Sequence, residues 1–472
     1  MTKNKYDVII VGAGPSGIFC AYELINKNKD LKVLLLEKGH SIEKRVCPKR
    51  CSPDGKCLHC NPCNITSGFS GAGAFSDGKL TLAASETGGD LDKIVGVETA
   101  QKLINEIDEI YTSFGGDFNV WGSEETPAIR DIRRKAVIAK MKLVRNPVKH
   151  LGTDYSYDIY TKMQFHLLKH GVEIRFNAMV SDLIEVDGAV AGVVVGDERI
   201  FSDYVVVGAG REGSTWFSDI CKKHNIETCP GTVDIGVRVE CRDEVMKELN
   251  DALYEAKLVY YTKTYADKVR TFCQNPSGEV ALENYVLPNG NHITTVNGHA
   301  YNNPEMKTDN TNFALLVSKD FTEPFNEPLQ YGAAYASIAN MLAGGTILVQ
   351  TYGDIKRGRR STPERIRHGN VVPTLKDATP GDLMCCLPGR IMTDIIEMIE
   401  ALDNVAPGIA SDETLLYGVE VKFYSNRVSV DSSCETSLNK LYAVGDSSSW
   451  TRGLSMSSAM GLWAAKQILL RI

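Results

Sequence analysis

The feature that most constrains the fold is a glycine turn near the N-terminus, which joins an apolar run to a helix-like segment. The apolar run spans residues 8–11, and the helix-like segment extends from 16 to about 26. A second apolar run, 32–36, ends in Glu37. Continuous apolar runs of this length are typical of parallel strands buried on both faces. Residues 6–38 therefore predict a strand–turn–helix–strand unit of an α/β domain.

The turn has the spacing Gly12-x-Gly14-x-x-Gly17, and each glycine has a physical task. Gly12 allows a tight turn, Gly14 lets a pyrophosphate approach the backbone, and Gly17 lets the helix pack closely on the strand. The free N–H groups of the helix N-terminus favour phosphate binding. Glu37, twenty residues after Gly17, is placed to accept hydrogen bonds from a ribose. The motif predicts a dinucleotide, either FAD or NAD.

The C-terminal segment distinguishes these cofactors. It reads Tyr442-Ala-Val-Gly-Asp446, followed by Thr451-Arg-Gly-Leu and a helix-like stretch rich in small residues. This pattern resembles the flavin-ribityl motif of FAD-dependent oxidoreductases, in which an aspartate at a strand end holds the ribityl chain. A helix cap is the structural alternative for Asp446. Arg45 falls where the glutathione-reductase-like FAD superfamily places a phosphate-contacting arginine. FAD is therefore the predicted cofactor.

Four blocks resemble an uncharacterised bacterial FAD-dependent dehydrogenase family within that superfamily. The blocks are residues 57–81, 147–154, 271–279 and 416–422. The resemblance implies an α/β fold, with a discontinuous glutathione-reductase-like FAD-binding Rossmann domain and an inserted α+β second domain. Carried over to this chain, it implies cofactor contacts from Gly12, Gly14, Pro15, Ser16, Gly17, Glu37, Lys38, Arg45, Ser70, Gly71, Ala72, Gly73, Val180, Gly208, Ala209, Gly210, Gly445, Asp446, Gly453 and Gly461.

A second glycine turn, Gly208-x-Gly210-x-x-Gly213, allows two interpretations. It is formally another dinucleotide motif and could bind NAD(P)H as an electron donor. The superfamily, however, ends its antiparallel meander in such a turn, packed beside the same FAD. No strand ending in an acid follows at the right distance, so the FAD interpretation is favoured.

Five of the thirteen cysteines lie in one short segment, residues 47–63. Cys57-x-x-Cys60-x-x-Cys63 has the tight spacing of bacterial ferredoxin ligands, and Cys47, which precedes a proline, could be the fourth thiolate. Cys51 is a competing fourth ligand. The prediction is an iron–sulfur cluster of the [4Fe-4S] type. Zinc, with His59 as a spare ligand, a redox-active disulfide and unliganded thiols remain as alternatives.

The pattern along the chain suggests three regions. Residues 1–93, 151–229 and 411–472 are expected to form the FAD-binding domain. Residues 94–150 are expected to form a helical insertion, and 230–410 a domain that holds the substrate. Within these, helices are expected at 94–114, 131–142, 155–170, 327–343, 391–402 and 457–470, and strands at 172–176, 180–186, 190–195, 204–207, 233–240, 314–317 and 346–350.

Several side chains could donate a proton near a flavin. His150, Cys273 and Glu420 come from the family-like blocks, and His299 and Tyr424 lie close to them. Each of these residues is also compatible with a purely structural role.

The basic run at 356–368 indicates either a solvated loop or a site for an anion. His166 and His170, four apart on a predicted helix, are interpreted as ordinary helix residues.

Composition limits the partners. The formal charge of −7 argues against nucleic acid as the main partner. No apolar run approaches the length of a membrane span. The N-terminus leads directly into a strand, which leaves no room for a signal peptide and favours a cytoplasmic location.

The sequence therefore predicts a cytoplasmic flavoprotein, an oxidoreductase or dehydrogenase, that passes a hydride or electrons between FAD and a small, possibly anionic, organic substrate. An electron-donor protein is a further expected partner. A flavin-dependent monooxygenase is the alternative enzyme. A non-catalytic electron-transfer or redox-sensing flavoprotein is the alternative outside the enzymes.

Overall fold

The structure is a computed structural model. It describes residues 5–48, 60–75, 78–85, 89–116, 118–229, 231–286, 292–319, 327–422 and 426–472. The chain divides into two compact units. The first unit comprises 1–119, 149–231 and 424–472, and the second comprises 120–148 and 232–423.

The helices are α1 Pro15–Lys27, α2 Leu91–Val95, α3 Val97–Ser113, α4 Pro127–Ile138, α5 Gly152–Lys169, α6 Ser214–Lys223, α7 Asp243–Leu253, α8 Pro328–Ala343, α9 Tyr352–Lys356, α10 Pro363–Arg367, α11 Gly389–Leu402 and α12 Gly453–Leu469. The strands are β1 Lys5–Val11, β2 Val33–Leu36, β3 Lys79–Thr81, β4 Val120–Trp121, β5 Met141–Val144, β6 Val148–His150, β7 Glu173–Arg175, β8 Val180–Val186, β9 Ala189–Val195, β10 Glu198–Val207, β11 Thr228–Cys229, β12 Val233–Arg242, β13 Lys257–Tyr261, β14 Lys268–Asn275, β15 Glu279–Val286, β16 His292–His299, β17 Asn310–Lys319, β18 Leu348–Thr351, β19 Thr379–Pro380, β20 Leu415–Lys422, β21 Arg427–Val428 and β22 Leu441–Ala443.

The first unit is built on a Rossmann-type sheet with the order β7-β2-β1-β10-β9-β8, in which β22 also pairs with β10. The pairs β1–β2, β2–β7, β1–β10 and β10–β22 are parallel. The pairs β8–β9 and β9–β10 are antiparallel and form the predicted meander. The α/β fold class expected from the sequence is confirmed by these parallel strands and the helices packed on them. The strands come from three separate chain segments.

Alternation along the strands places an apolar core on each face of this sheet. Val8 and Ile10 of β1 pack in a core with helices α1, α3, α5 and α12. Ile9 and Val11 point the other way, into a core with the meander and α6. Side chains alternate across a strand, so a continuous apolar run serves both cores.

The second unit contains a sheet of order β19-β18-β20-β12-β17-β14-β13-β5. All its printed pairs are antiparallel except β18–β19. One face is apolar: Val237 and Val239 of β12 pack with residues of helices α4, α7, α8 and α11. A separate hairpin, β15–β16, contributes Val280 and Val296 to a smaller cluster with Tyr417 of β20.

Two predicted helices differ from the structure. The helix expected at 94–114 is divided into α2 and α3 at Gly96, which has a φ of 82°. The helix expected at 131–142 ends at Ile138, and β5 begins at Met141. The prediction was wrong for residues 141 and 142. Met141 and Leu143 alternate into the core, so pairing with β13 outweighs the helical propensity of the segment.

The segment 94–150, expected as a separate insertion, is shared between the units. Helix α3 belongs to the first unit, whereas α4 and β5 belong to the second. Strand β20, expected in the FAD-binding domain, pairs with β12 and β18 of the second unit. Among the described residues, none of the helices is long and apolar enough to cross a membrane.

Two acidic side chains, Asp394 and Asp267, lie close together in the second unit. Asp394 of α11 is fully buried, and Thr262 donates a hydrogen bond to its Oδ1 at 2.8 Å. The neighbouring Asp267 pairs with Lys319 and with Arg390, the latter at 2.6 Å. Burial, together with the Asp267 carboxylate, raises the pKa of Asp394 to about 6.

This pKa generates a prediction for Asp394→Asn. The folded protein retains a proton on Asp394 between about pH 4 and 6 that the unfolded chain has released, so wild-type stability falls as the pH rises through that window. The amide of the variant does not titrate. We expect its Tm, relative to wild type, to be higher at pH 7.5 than at pH 4.5 by roughly 2–6 °C.

The control is Glu400→Gln, an exposed residue on the same helix. Its Tm relative to wild type should be the same at both pH values. A pH-independent difference for Asp394→Asn as well would contradict the assignment of a buried, protonated carboxyl.

Candidate functional site

The glycine turn between β1 and α1 is held together by close backbone contacts. A Cβ on Gly17 would lie 2.0 Å from the Gly12 carbonyl oxygen. A Cβ on Gly12, whose φ is 100°, would lie 2.7 Å from the carbonyl oxygen of Gly208. Two of the three glycines are therefore required by packing within the protein itself.

Gly14 is different, because its Cβ position is open. An added Cβ would meet only the Gly208 oxygen, at 4.0 Å. Gly14 is the N-cap of α1 and has no side-chain capping bond. The first turn contains no acid. The N–H groups at this helix N-terminus are thus directed at open space that suits an anion.

Several glycine-containing segments converge on Ser16 at the start of α1. A Cβ on Gly208 would lie 2.8 Å from the Ser16 hydroxyl, and one on Gly445 would lie 2.6 Å from it. Gly461 of α12 crosses the Ser16 backbone, where a Cβ would be 2.0 Å from the carbonyl oxygen. Gly461, predicted to contact the cofactor, is thus explained by helix packing.

The loop at 68–75 lies against the same turn. The Ser70 N–H donates to the Ala13 carbonyl at 2.7 Å, and a Cβ on Gly71 would be 3.4 Å from Gly14 Cα. Gly73 is closed in by Tyr160 and Leu454, with Cβ distances of 3.0 Å to both. Together with the segments around Ser16, these residues form what we call the cradle: 12–17, 68–73, 208–210 and 445–453.

Glu37 connects parts of the cradle. Its Oε2 accepts from the Ala13 N–H at 2.9 Å, and its Oε1 accepts from the N–H groups of Gly39 and Gly68 at 2.8 and 3.0 Å. The residue as a whole is 6% exposed. A carboxylate has about four acceptor positions, so capacity remains for the predicted ribose contact.

Arg45 binds the loop backbone. Its guanidinium donates to the carbonyls of Asn64, Ile65 and Phe69 at 3.0, 2.6 and 2.6 Å, and to the Ser70 hydroxyl at 3.0 Å. Burial lowers its pKa to about 10, although nearby Glu37, Cys63 and Glu212 favour the charged form. The contacts place this cation against the loop, where it positions the chain that follows the cysteines.

The remaining cofactor candidates lie in the same unit. Lys38 pairs with Glu212 at 3.3 Å, and Glu212 also accepts from the hydroxyls of Thr66 and Ser67. Asp446 accepts from Ser457 at 3.1 Å at the start of α12. The other members are placed by the backbone: Pro15 in the first turn of α1, Ala72 in the 71–75 turn, Val180 at the start of β8, Ala209 and Gly210 after β10, and Gly453 at the start of α12.

The second glycine turn shares the first turn's surroundings. The Gly208 N–H donates to Val11 at 2.8 Å, and the Ser447 N–H donates to the Ala209 carbonyl at 3.1 Å. A Cβ on Gly213 would clash with Ala209 at 2.7 Å, so this glycine serves the turn itself. These contacts favour the interpretation that the second glycine turn packs beside the first turn at the same site, rather than forming a separate NAD(P)H-binding motif.

The cysteine segment is described only in part. Cys47, Cys60 and Cys63 are half-buried free thiols, whereas Cys51, Cys57 and His59 lie outside the described residues. Within the described part of the chain, no three metal-ligating side chains are grouped closely enough to hold an ion.

Three sequence candidates lie in the second unit, and a buried arginine connects two of them. Arg238 of β12 donates to both Glu420 oxygens, at 2.8 and 3.0 Å, and to the Cys273 carbonyl at 3.0 Å. It also donates to Asn312 at 2.8 Å and to Asn297 at 3.4 Å. His299 lies two residues from Asn297, at the end of β16.

Glu420 is poorly suited to proton donation. It is fully buried, and Lys422 lies 2.8 Å from its Oε1. Burial opposes ionisation, but Arg238 and Lys422 outweigh this and hold the pKa of Glu420 below its ordinary value. The carboxylate thus remains ionised and positions two cations.

Other candidates are separate from this group. His150 is buried at the end of β6 in the first unit, and Tyr424 lies outside the described residues. In the basic run, Lys356 and Arg357 pair with Asp412, both at 2.6 Å, and further pairs involve Arg359 with Asp354 and Arg367 with Glu364. These ion pairs favour a structural loop over an anion site.

Sequence reasoning missed Arg238, Asn312 and Lys422. Their signal was weak: each is a polar residue in a strand-like run, directly next to an apolar residue with which it alternates. Such alternation is also typical of a solvent-exposed sheet face. Only the pairing of β12, β17 and β20 shows that these positions are buried together.

The comparisons with known proteins give partial matches. The model of the Thi4 family matches residues 2–43, which contain the first glycine turn. An uncharacterized protein of Clostridium beijerinckii is 25% identical over 486 residues, covering 98% of this chain and 80% of the relative.

Two solved structures illustrate the structural similarity. Glycine oxidase from Geobacillus kaustophilus is 10% identical with a TM-score of 0.41, and L-amino acid deaminase from Proteus vulgaris is 13% identical with a TM-score of 0.40. Each alignment covers 99% of this chain and 94% of the other. At these TM-scores the similarity adds no evidence on the reaction.

The buried ion pair generates a prediction for Glu420→Gln. The substitution keeps the side-chain size but leaves Arg238 and Lys422 without their fully buried counter-charge. Breaking a buried pair on one side costs about 3–5 kcal/mol, and we expect a loss of this size in urea or thermal unfolding.

The matched control is Glu364→Gln, which breaks an exposed pair with Arg367 at 3.2 Å. Its unfolding curve should match that of the wild type. If Glu420→Gln also unfolds like the wild type, the ionised state assigned to Glu420 is wrong.

Proposed function

We propose that the protein is an FAD-dependent oxidoreductase that transfers a hydride or electrons between FAD and a small organic substrate. The observation that carries the proposal is the cradle. Segments from three distant parts of the chain meet at the N-terminus of α1, and the one glycine of the first turn with an open Cβ position, Gly14, lies at that N-terminus.

The residues present fit an FAD molecule. The uncapped helix N-terminus supplies N–H donors for a pyrophosphate. The Glu37 carboxyl group, directly after β2, has remaining acceptor capacity where a ribose would lie. Gly210 and Gly453 have no atoms within 4 Å of their Cβ positions, so the backbone there is open to a ligand.

When bound, FAD would supply the redox chemistry, and the protein would supply binding and orientation. Gly14 and Ser16 would hold the phosphates by backbone N–H groups. Asp446, at the C-terminal side of β22, would accept from ribityl hydroxyls. Glu37 and Arg45 keep the loop at 64–70 against the turn and thereby fix the width of the cradle.

For the cysteine segment we propose ligation of an iron–sulfur cluster by Cys47, Cys57, Cys60 and Cys63. The support is the C-x-x-C-x-x-C spacing, together with the contacts of Arg45, which join the end of this segment to the cradle. A cluster here would exchange single electrons with a two-electron cofactor. Zinc and a disulfide are the competing outcomes of the metal test below.

NAD(P)H or an electron-donor protein would supply electrons, and a cytoplasmic location is part of the proposal. Catalytic roles for His150, Cys273 and His299 remain predictions. A flavin-dependent monooxygenase and a non-catalytic electron-transfer or redox-sensing flavoprotein are the alternative functions.

Gly14→Ala tests the cofactor assignment. Gly14 has a φ of −76°, which alanine adopts freely, and an added Cβ meets no protein atom closer than 4.0 Å. We therefore expect the fold and the apoprotein Tm to be preserved. The methyl group would occupy the space of the pyrophosphate and weaken FAD binding about tenfold or more, measured by flavin fluorescence on titration.

Gly389→Ala is the control, because its Cβ position is also open but lies in the second unit. It should bind FAD like the wild type. Wild-type protein that binds no FAD, or a Gly14→Ala variant with unchanged affinity, would refute the proposed cofactor site.

Metal analysis tests the cysteine proposal. Anaerobically purified protein should contain about four irons per chain and a broad absorbance in addition to the flavin bands. Cys60→Ser should remove most of the iron, whereas Cys229→Ser, an exposed cysteine outside the segment, should not. Zinc in place of iron, or no metal at all, would refute the cluster.

A further inference from the structure

The cradle segment 445–453 connects β22 to α12 and has an irregular backbone. It contains Asp446, which is expected to accept from the ribityl hydroxyls. The backbone has a positive φ at Gly445, Ser449 and Gly453, with values of 70°, 60° and 74°. A serine in this conformation is strained, and such strain persists only where the surrounding contacts determine the backbone. The segment therefore depends on the residues that bind it.

The first half of this segment is bound by other parts of the cradle. The Ser447 N–H donates to the Ala209 carbonyl at 3.1 Å, and the Ser448 hydroxyl donates to the Gly445 carbonyl at 2.7 Å. The second half is bound by residues from outside the cradle.

Trp450, in the second half, is bound by two distant parts of the chain. Its carbonyl accepts from the Asp90 N–H at 2.7 Å, and its indole N–H donates to the Val428 carbonyl at 2.7 Å. Gly89 forms an antiparallel bridge with Thr451, and a Cβ on Gly89 would lie 2.9 Å from the Trp450 carbonyl oxygen. The backbone and the side chain of Trp450 are thus held by separate segments.

Arg427 joins these two segments. Its guanidinium lies over the Trp450 ring, 4.5 Å from the ring centroid, and donates to the Asp90 carboxylate at 2.5 Å. The side chains of Arg427 and Asp90 are only 26% and 28% exposed, and both kinds of contact are stronger where water is partly excluded. We call Asp90, Arg427 and Trp450 the clamp.

The Arg427–Asp90 pair is fully charged around pH 7. Burial opposes ionisation of Asp90, but Lys93, at 3.0 Å, and Arg427 outweigh this and hold the pKa of Asp90 below its ordinary value. The contacts of the clamp are therefore those of an ionised carboxylate.

A different set of contacts holds the first glycine turn. Glu37 accepts from backbone N–H groups of the turn and of the loop at 64–70, and Arg45 donates to carbonyls of that loop. The pyrophosphate and the adenosine ribose are expected at this turn and at Glu37. The two sets share no side chain, so the clamp can be altered without removing a contact of Glu37 or Arg45.

We propose that Asp90, Arg427 and Trp450 are positioning residues for the flavin half of FAD. By holding the second half of the 445–453 segment, they fix Asp446 and the start of α12 where the ribityl chain is expected. The inference rests on the proposed function, since it takes FAD as the occupant of the cradle. The clamp then contributes to the affinity for FAD but not to the affinity for ADP, which has the adenosine and both phosphates but no flavin.

The test compares the binding of FAD and ADP to flavin-depleted protein, by flavin fluorescence and by calorimetric titration. Arg427→Met keeps a long side chain against Trp450 but removes the charge that pairs with Asp90. We expect its FAD affinity to fall about fivefold or more, and its ADP affinity to stay within about twofold of the wild type. Arg427→Lys, which retains the charge, should recover most of the loss.

Trp450→Phe is the second variant. It keeps an aromatic ring beneath Arg427 but loses the indole N–H, so it should weaken FAD binding in the same direction. The matched control is Arg175→Met, in the same unit. The Arg175 side chain is 28% exposed and pairs with Glu173 at 2.7 Å and with Glu198 at 3.2 Å. This control should bind both FAD and ADP like the wild type.

The inference is overturned if Arg427→Met and Trp450→Phe both bind FAD like Arg175→Met, or if FAD and ADP binding weaken in the same proportion. A general loss of stability would weaken both ligands, so the comparison within one variant separates it from positioning. If ADP binds the wild type too weakly to titrate, the visible circular dichroism of the bound flavin decides. The spectrum should change in Arg427→Met and not in Arg175→Met, and an unchanged spectrum refutes the clamp.

The same titrations keep the two proposals distinguishable. Wild-type protein that binds no FAD refutes the proposed cofactor. FAD binding by the wild type that is insensitive to the clamp variants refutes only the positioning role.

Discussion

The structure of the first unit depends on backbone segments that approach more closely than any side chain allows. A Cβ added to Gly17 would lie 2.0 Å from the Gly12 carbonyl oxygen, and one added to Gly461 would lie 2.0 Å from the Ser16 carbonyl oxygen. Gly208 and Gly445 enclose the Ser16 hydroxyl. These contacts join the three chain segments of the unit at one point. Fold and cradle are therefore the same feature: the close packing that closes the discontinuous domain also leaves the α1 N-terminus open.

The sequence predicted the parts of this arrangement that are local. The first turn, helix α1 and the meander at 180–207 follow from spacing and alternation over short windows. It failed where distant pairing decides the outcome, as at β5, which continues from a helix-like segment because β13 is available to pair with it. The expectation that separate chain segments form one domain came instead from the family resemblance, since no local pattern encodes it.

The sequence motifs also predicted where a residue lies better than they predicted which groups it contacts. Glu37 and Arg45 both contact the cradle, but Glu37 accepts from backbone N–H groups, and Arg45 donates to three backbone carbonyls and the Ser70 hydroxyl. The Glu37 carboxyl group pairs with backbone N–H groups, and the Arg45 guanidinium pairs with backbone carbonyls. Without these side chains, the irregular backbone there would bury those groups unpaired. A spacing rule cannot separate a residue that binds a cofactor from one that shapes the site around it.

The main sheet of the second unit has one apolar face and one face that carries buried polar and charged side chains. The apolar face packs against helices that include α4, α7, α8 and α11, and burial of this face stabilises the sheet. The other face can then carry charged groups whose net contribution to stability is small or unfavourable. Arg238 shows how such a charge is tolerated. All five N–H donors of its guanidinium reach acceptors on neighbouring strands of the unit, so the cation is removed from water without an unpaired donor.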